Sequence, residues 1–571
     1  MRTSLCYVTG RVVQSRRPIE KLGPEMQPTA PLAPLLGRNL VMYTKLLAGK
    51  IRAGQMVPFI GTGLSMACGL PNWRLLVERI AEASLAFDAP AAFASSSQHY
   101  LATLRMCFSD DMALVSFVRA RLARKDPAAF SEVLYSALYS TPIAPGSLLV
   151  PQPNDIHRYL VTIFNRQPRR IWTVNYDDLL EEAAMAVGVR VRTLHPRDYT
   201  AGNGLHIAHL HGFLPASGRE PRGFPGIQHA VSDLTLAEDD FHAVAADQTG
   251  WTSREFYRLV QDHAVLMLGL SLQDPNLRRV LAMSRHAVNP TPDRHFALLT
   301  PLGPQDITPQ SDTALSLYQQ ADLARHANEL REWYWKDRDL TVVHVPDYSY
   351  ITPFLARLHY ETYGRHSGQL WEDAARAYER VRPQVPAAQQ VVRAVLLGAI
   401  GRLERDFRIS DPDEVLELGI FLLTPKHQLE LVFRGNKRKA KKPGRTFSAG
   451  PDTPTGLAGR VYASCQGVRV HTTDKLHNYH VPSSPKRETD YSGIVATPVI
   501  DWRSKGLPLG VAYLTTSTAD GKVFQLLDQP SGGLYKQQAD KPAIVPIDVT
   551  LSDLFRYLSD VALAVLSLFD H

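Results

Sequence analysis

The sequence predicts an α/β fold on a mostly parallel sheet, with an inserted helical region, a helical connector and a smaller α+β unit at the C-terminus. Three observations predict it. From about Leu40 onward, apolar runs of strand length alternate with amphipathic helical stretches. Those runs are apolar almost without interruption, as strands covered on both faces must be. At 571 residues and 44% hydrophobic content the chain exceeds what one core holds, so several packed domains are expected.

Taken in order, the first residues carry Arg2, Arg11, Arg16 and Arg17 ahead of any acidic side chain and lack the apolar core of a secretory signal. Residues 1–39 therefore read as a disordered leader, or as the product of a start placed too early, with Met26 the true one. Strands are expected at 56–60, 170–174, 207–210, 265–270, 295–299 and 340–345. Between 81 and 140, Leu, Val, Phe and Tyr recur at helical spacing, which reads as a helical insertion walling one side of a pocket. A helix at 351–360 closes a first domain, 40–362. Residues 363–426 read as a helical connector, with Ala, Arg, Glu and Val dominating 371–407. From 427 to 571 a second unit follows, with strands at 429–433, 494–500 and 509–515 and a short helix at 456–463. In its last helix Leu551, Leu554, Phe555, Leu558, Val561, Val565 and Phe569 form one apolar stripe that must lie on a sheet. No internal repeat of solenoid period occurs.

Composition excludes several classes. No run approaches the roughly 18 uncharged apolar residues of a membrane-crossing helix, so no membrane association is expected. Cys6, Cys68, Cys107 and Cys465 stand far apart with no C-x-x-C pair, which argues against a disulfide framework and a structural zinc site and fits a reducing cytoplasm. The net charge of +7 is modest for this length. Its one dense run, Lys437, Arg438, Lys439, Lys441, Lys442 and Arg445, lacks interleaved aromatics and reads as a solvated loop, so nucleic-acid binding is not expected.

The strongest local signal is Val57-Pro58-Phe59-Ile60-Gly61-Thr62-Gly63-Leu64-Ser65, a buried strand entering a glycine turn and then a helix from about Ser65. Glycines let the backbone approach a pyrophosphate, and unpaired N–H groups at a helix start face that anion, as in Rossmann-like sheets. A tight strand-to-helix turn without a ligand has the same sequence, so the motif gains weight only from companions further along the chain. Those companions are Gly69-Leu70-Pro71-Asn72-Trp73-Arg74, then Thr173-Val174-Asn175-Tyr176-Asp177, His211-Gly212, Gly269-Leu270-Ser271 and Asp274-Pro275-Asn276.

In order and spacing these motifs resemble the sirtuin fold over roughly residues 40–362, specifically the bacterial sirtuin-like branch found in antiviral NAD-depleting effectors. The resemblance implies that Gly61, Thr62, Gly63 and Ser65 cradle NAD, and that the segment of Pro71, Trp73 and Arg74 closes over it. It further implies that Asn175 and Asp177 line the ribose–nicotinamide pocket, that His211 is the catalytic base, and that Gly269 and Ser271 hold the adenosine side. Two departures bear on activity. Sirtuin deacylases typically read G-I-P-D-F-R and T-Q-N-I-D, whereas Asn72, Trp73 and Val174 replace Asp, Phe and Gln here. Their four-cysteine zinc ribbon cannot be built from this chain, so no zinc is expected and protein deacylation is put in doubt.

The chemistry also follows from the residue types. Nicotinamide leaves NAD as a neutral base, creating an oxocarbenium-like ribose comparable to that of glycoside hydrolysis. A carboxylate such as Asp177 can stabilise that charge, Asn175 can hold a ribose hydroxyl or a water, and the imidazole of His211 can take a proton. Each has a plainer reading. Asn175 or Asp177 can be an N-cap. His209 and His211 share one face of a strand, a spacing also found in metal sites, but no convergent ligands accompany them, and His209 reads as structural. Asp274-Pro275 reads as an N-cap followed by Pro at the first helical position.

In the C-terminal unit, Gly456-Leu457-Ala458-Gly459, the strands around Val495 and Val511 and the closing helix look like a GAF domain, whose members sense small ligands and in several cases cyclic nucleotides. A dimerisation module without ligand remains the alternative. The expectation is thus an NAD+ glycohydrolase using NAD as substrate, gated by a small ligand such as a nucleotide second messenger and assembled as a homo-oligomer. ADP-ribosyl transfer, deacylation and a non-catalytic nucleotide-binding scaffold are the other readings.

Overall fold

The structure, a computed structural model, describes residues 36, 38–88, 97–108, 110–124, 126–139, 151–166, 168–200, 202–216, 218–220, 226–287, 294–307, 315–364, 368–406, 416–436, 446–449, 456–465, 468–471, 493–501, 507–516 and 551–569. The expected leader and the basic run at 437–445 lie outside the described residues, apart from residues 36, 38 and 39.

Seven parallel strands form the N-terminal sheet: β1 (Met56–Ile60), β2 (Arg170–Thr173), β3 (Val191–Leu194), β4 (Leu205–His209), β5 (Ala264–Leu268), β6 (His295–Leu299) and β7 (Leu340–His344). Their order is β3-β4-β2-β1-β5-β6-β7. Every residue of β1 is buried, as its unbroken apolar run requires. The chain leaves β1 for β2 on one side and later returns to β5 on the other. Such a reversal opens a crevice at the carboxyl ends of the central strands, where ligands of doubly wound sheets bind.

Alternate residues of each strand supply two separate cores. Met56, Ile60, Ile171, Ile207, Leu266 and Leu268 pack with α1 (Arg38–Arg52), which follows Leu36, and with further helices on that face. The remaining residues, Val57, Phe59, Trp172, Ala208, Leu210, Val265 and Met267, make up the opposite face. Between β1 and β2 the chain forms α2 (Trp73–Asp88), α3 (Ser97–Cys107), α4 (Asp111–Ala123) and α5 (Ala129–Tyr139), which fill the helical insertion expected at 81–140, and then α6 (Asp155–Phe164) beyond it. The insertion's own core includes Val77, Ile80, Val118, Leu134 and Tyr139, and reaches across to Tyr176 and Leu214 beside the strand ends. α6 instead covers the α1 face with Tyr159, Leu160 and Ile163.

The later helices complete the layers. α7 (Leu179–Ala186) lies on the α1 face, whereas short α8 (Ile227–Val231) joins the core of the helical insertion. α9 (Glu238–Ala246) precedes α10 (Trp251–Asp262), and α10 and α11 (Pro275–Ala287) bury Phe256, Leu259, Val260, Leu277, Val280 and Leu281 on the opposite face. α12 (Leu317–Lys336) packs through Trp335 beside β7, and α13 (Ile351–His359) returns Phe354 and Leu355 to the α1 face.

The C-terminal sheet is antiparallel and six-stranded, in the order β10-β9-β8-β13-β12-β11. Its strands are β8 (Leu416–Leu423), β9 (Gln428–Asn436), β10 (Thr446–Ser448), β11 (Val468–His471), β12 (Gly493–Ile500) and β13 (Pro508–Thr516). It shares one core with α14 (Gly368–Val381), α15 (Val385–Asp406), α16 (Gly456–Ser464) and α17 (Leu551–Ser567), whose Leu554, Leu558 and Val565 are the expected stripe. Four strands were not expected: β3, β8 and the short β10 and β11. β3 is a short, half-buried edge strand whose VRTL gives little pattern. β8 falls inside the span assigned to a connector, and the helices of that span pack on the sheet it belongs to. Gly419 breaks its apolar run because a Cβ there would lie 2.3 Å from the Tyr513 ring on β13.

Candidate active site

The glycine corner joins two strand ends. Gly61 follows β1 and donates its N–H to Leu268 O at 2.9 Å, and Gly63 donates to Gly269 O at 3.0 Å. A Cβ on Gly61 would stand 2.5 Å from Gly269 O, and Gly269 itself holds a φ of +67°. These glycines are therefore required by the close approach of β1 and β5. The N–H groups of Gly61 and Gly63 are thus paired with the β5 end. The helix after them is a tight 3-10 turn over Thr62–Cys68, ended by Gly69 at φ +90°, rather than an α-helix from Ser65. Substituting Gly61→Ala should cost about 1–3 kcal/mol of stability by overpacking, read as a lower denaturant midpoint at unchanged slope.

From that turn Ser65, 1% exposed, reaches the end of β2. Its Oγ–H donates to Asp177 Oδ2 at 2.8 Å and accepts from Asn175 Nδ2 at 2.9 Å. Asn175 Nδ2 also donates to Gly61 O at 3.3 Å, so both amide hydrogens are held by protein. The amide oxygen, Asn175 Oδ1, is buried with no protein partner. A fixed amide thus presents a free acceptor at a strand end. Asp177 differs from its expected role as a charge stabiliser: Oδ2 takes the Ser65 hydroxyl and Oδ1 the Leu179 N–H at 3.2 Å, so it holds Ser65 and starts α7. Burial raises its carboxyl above the usual carboxylate range, against the pull of Ser65 and the Leu179 N–H.

β4 lies beside β2 in parallel register, Thr173 opposite His209, and Asn175 and His211 each follow two residues beyond those paired ends. His211 is buried, its ring edge-on to Phe241 at 5.3 Å and 6.1 Å from Phe256. Its Nε2 lies 3.0 Å from Asp274 Oδ2, close enough for an ion pair but off the angle of a directed hydrogen bond. Asp274 is the expected N-cap, accepting from Leu277 N at 2.8 Å through Oδ1, and its second oxygen is the imidazole's neighbour. Burial would raise that carboxyl; His211 and the N–H groups of Leu277 and Asn276 outweigh burial and hold it below its ordinary value. His209 faces two acceptors, the Asn175 carbonyl at 2.8 Å and Glu181 Oε1 at 3.0 Å, and so anchors the Asn175 backbone. Burial opposes a charged His209, yet Glu181 and the Asn175 carbonyl raise its pKa.

Asp178, one residue beyond Asp177, is 2% exposed, and neither carboxylate oxygen has a hydrogen-bond partner. Arg219 Nη1 stands 3.6 Å from Oδ1. Burial first, then Asp177, push this carboxyl up from 3.8 to about 7, against Arg219. Between those two values the folded protein retains a proton that the unfolded chain has released, so stability falls as pH rises through that window. Asp178→Asn should remove this loss and exceed the parent by about 1–3 kcal/mol at pH 8, with a smaller difference at pH 5, in paired urea titrations.

The remaining expected residues divide. Thr62 is half-buried in the corner and Pro71 is buried behind it. Trp73 packs on the helical insertion, and Asn72 Oδ1 caps α2 by accepting from Leu75 N at 2.8 Å. Arg74 is not brought to the site: it is 72% exposed and pairs with Glu78 at 3.3 Å. Ser271 is exposed and its Oγ accepts from Gln273 N at 3.4 Å. Among the described residues no group of three or more His, Cys, Asp or Glu is placed to hold a metal ion, and no helix is long and apolar enough to cross a membrane.

Residues 169–324, which contain Asn175, Asp177, His211 and Asp274, match the family described as SIR2-like domain. Defense-associated sirtuin 2 of Bacillus subtilis is 23% identical over 291 residues, covering 51% of this chain and 24% of that protein. The match thus spans about a quarter of that relative's length. A solved structure described as a crystal structure of a Sir2 homolog-NAD complex is 17% identical over 50% of this chain and 94% of its own, with a TM-score of 0.20. Residues 169–324 are thus similar to a SIR2-like domain, and they include β2 to β6 of the parallel sheet with Asn175 and His211 just beyond the ends of β2 and β4.

Proposed function

We propose that the SIR2-like domain is an NAD+ glycohydrolase that splits the nicotinamide–ribose bond with water. The observation that carries this reading is the free Oδ1 of Asn175, fixed by Ser65 and Gly61 just beyond the end of β2, with His211 just beyond the end of the neighbouring β4. In the reaction the C–N bond breaks and its electron pair leaves on the nicotinamide nitrogen, neutralising the ring's positive charge. Asn175 Oδ1 accepts a hydrogen bond from the ribose or the attacking water. The water oxygen bonds the ribose carbon and its proton passes to His211, whose imidazole Asp274 holds in place. Asp177 is a positioning residue acting through Ser65.

The name of the Bacillus subtilis relative supports a place in antiphage defence. There, constant NAD+ loss would harm the host, so a ligand or assembly step must favour the active state. The antiparallel sheet with its packed helices supports the GAF-like reading of the C-terminal unit as the sensor or oligomerisation surface.

Incubating the full chain with NAD+ and separating the products by chromatography tests the activity. Nicotinamide and free ADP-ribose in equal amounts are expected. ADP-ribose found on protein identifies a transferase, and intact NAD+ under conditions where it binds identifies a scaffold; either result overturns hydrolysis.

A further inference from the structure

A cavity of about 450 Å3 lies between α10 and the β2–β3 side of the sheet, away from Asn175 and His211. It is lined by Arg170, Leu194, Tyr199, Trp251, Arg254, Glu255 and Arg258, none of which belongs to the amide–imidazole site. That volume falls within the range of small-ligand pockets. Two features distinguish it from a solvated basic surface. Tyr199 and Trp251 stack with ring centroids 6.0 Å apart and planes 20° from parallel, and Tyr199 is 51% exposed, so an outer aromatic face remains open to a planar ring.

The second feature is charge. Glu255 is buried and saturated: it accepts from Arg170 Nη1 at 3.2 Å, Trp172 Nε1 at 3.1 Å and Arg258 Nη1 at 3.1 Å. One carboxylate therefore faces three guanidinium groups in the lining, and Arg254 has no carboxylate partner among the described residues. An excess of positive charge beside an open aromatic face fits a ligand that is planar at one end and anionic at the other. Guanidinium forks bind phosphate in two-point geometry, and aromatic rings stack on any base.

We propose that this cavity is a second binding site, for a nucleotide bearing at least one phosphate, with the base on Tyr199 and the phosphate on Arg254 and Arg258. The proposal does not depend on the activity assigned to the first site.

Titration calorimetry of the full chain with AMP, adenosine and inorganic phosphate tests it. AMP is expected to bind more tightly than adenosine or phosphate. Arg254→Ala and Tyr199→Ser should each weaken AMP by about tenfold or more. Arg254→Ala should leave the thermal midpoint unchanged, because no protein carboxylate loses its partner. Asn175→Ala should leave this binding intact. Unchanged AMP affinity in both pocket variants, no heat with AMP, or phosphate binding as tight as AMP overturns the proposal. So does tighter binding of a poly-glutamate peptide, which would mark an acidic-protein site. Loss of AMP binding in Asn175→Ala alone would place the nucleotide in the first site, refuting the second site without touching the hydrolase reading.

Discussion

His211→Ala is expected to slow nicotinamide release from NAD+ by about a hundredfold to ten-thousandfold, the contribution typical of a positioned general base. Two carboxylates beside it are already engaged. Asp274 turns one oxygen to the imidazole and the other to the α11 N-terminus, and Asp177 has both oxygens engaged by Ser65 and Leu179. The imidazole packs on Phe241 and Phe256, so truncation leaves a small hollow; Asp274 Oδ2 loses its imidazole neighbour while Oδ1 keeps the Leu277 N–H. The variant should therefore fold, checked by its unfolding curve, and lose turnover far more than NAD+ affinity. A variant that keeps full turnover would remove the imidazole from the reaction.

Asn175→Ala should cost a comparable factor for a different reason. Among the described residues its side chain is the only amide tying β1, through Gly61 O, to Ser65 while keeping a buried oxygen unpartnered. Truncation removes the acceptor aimed at the reacting ribose, and loss of one preorganised group of this kind costs about a hundredfold to a thousandfold in turnover. It also frees the Ser65 hydroxyl from its donor. Asn175→Asp keeps the shape but replaces a donor with a carboxylate facing Gly61 O, so it too should fail. Full rescue by Asp would show that shape alone matters there.

Much of this site was legible because strand ends announce themselves. Buried apolar runs stop at Ile60, Thr173 and Leu268, and the polar or glycine residues just beyond them are the ones the sheet brings together. The sequence could not reveal that Gly61 and Gly63 spend their N–H groups on β5, since that depends on how closely two distant segments approach. For the same reason Asp274 reads from sequence only as a helix cap: its first oxygen obeys a local rule and its second a tertiary one. Asp178 carries no motif at all, and its raised pKa arises from burial beside Asp177 under the helical insertion. β8 was hidden because Gly419, the residue that admits the Tyr513 ring, interrupts its pattern.

The most direct test is a crystal structure of the slowed His211→Ala protein soaked with NAD+. The account predicts an intact dinucleotide whose nicotinamide-bearing ribose lies within hydrogen-bond reach of Asn175 Oδ1 and borders the space left at position 211. A dinucleotide seated elsewhere, or a ribose turned away from Asn175, would contradict it.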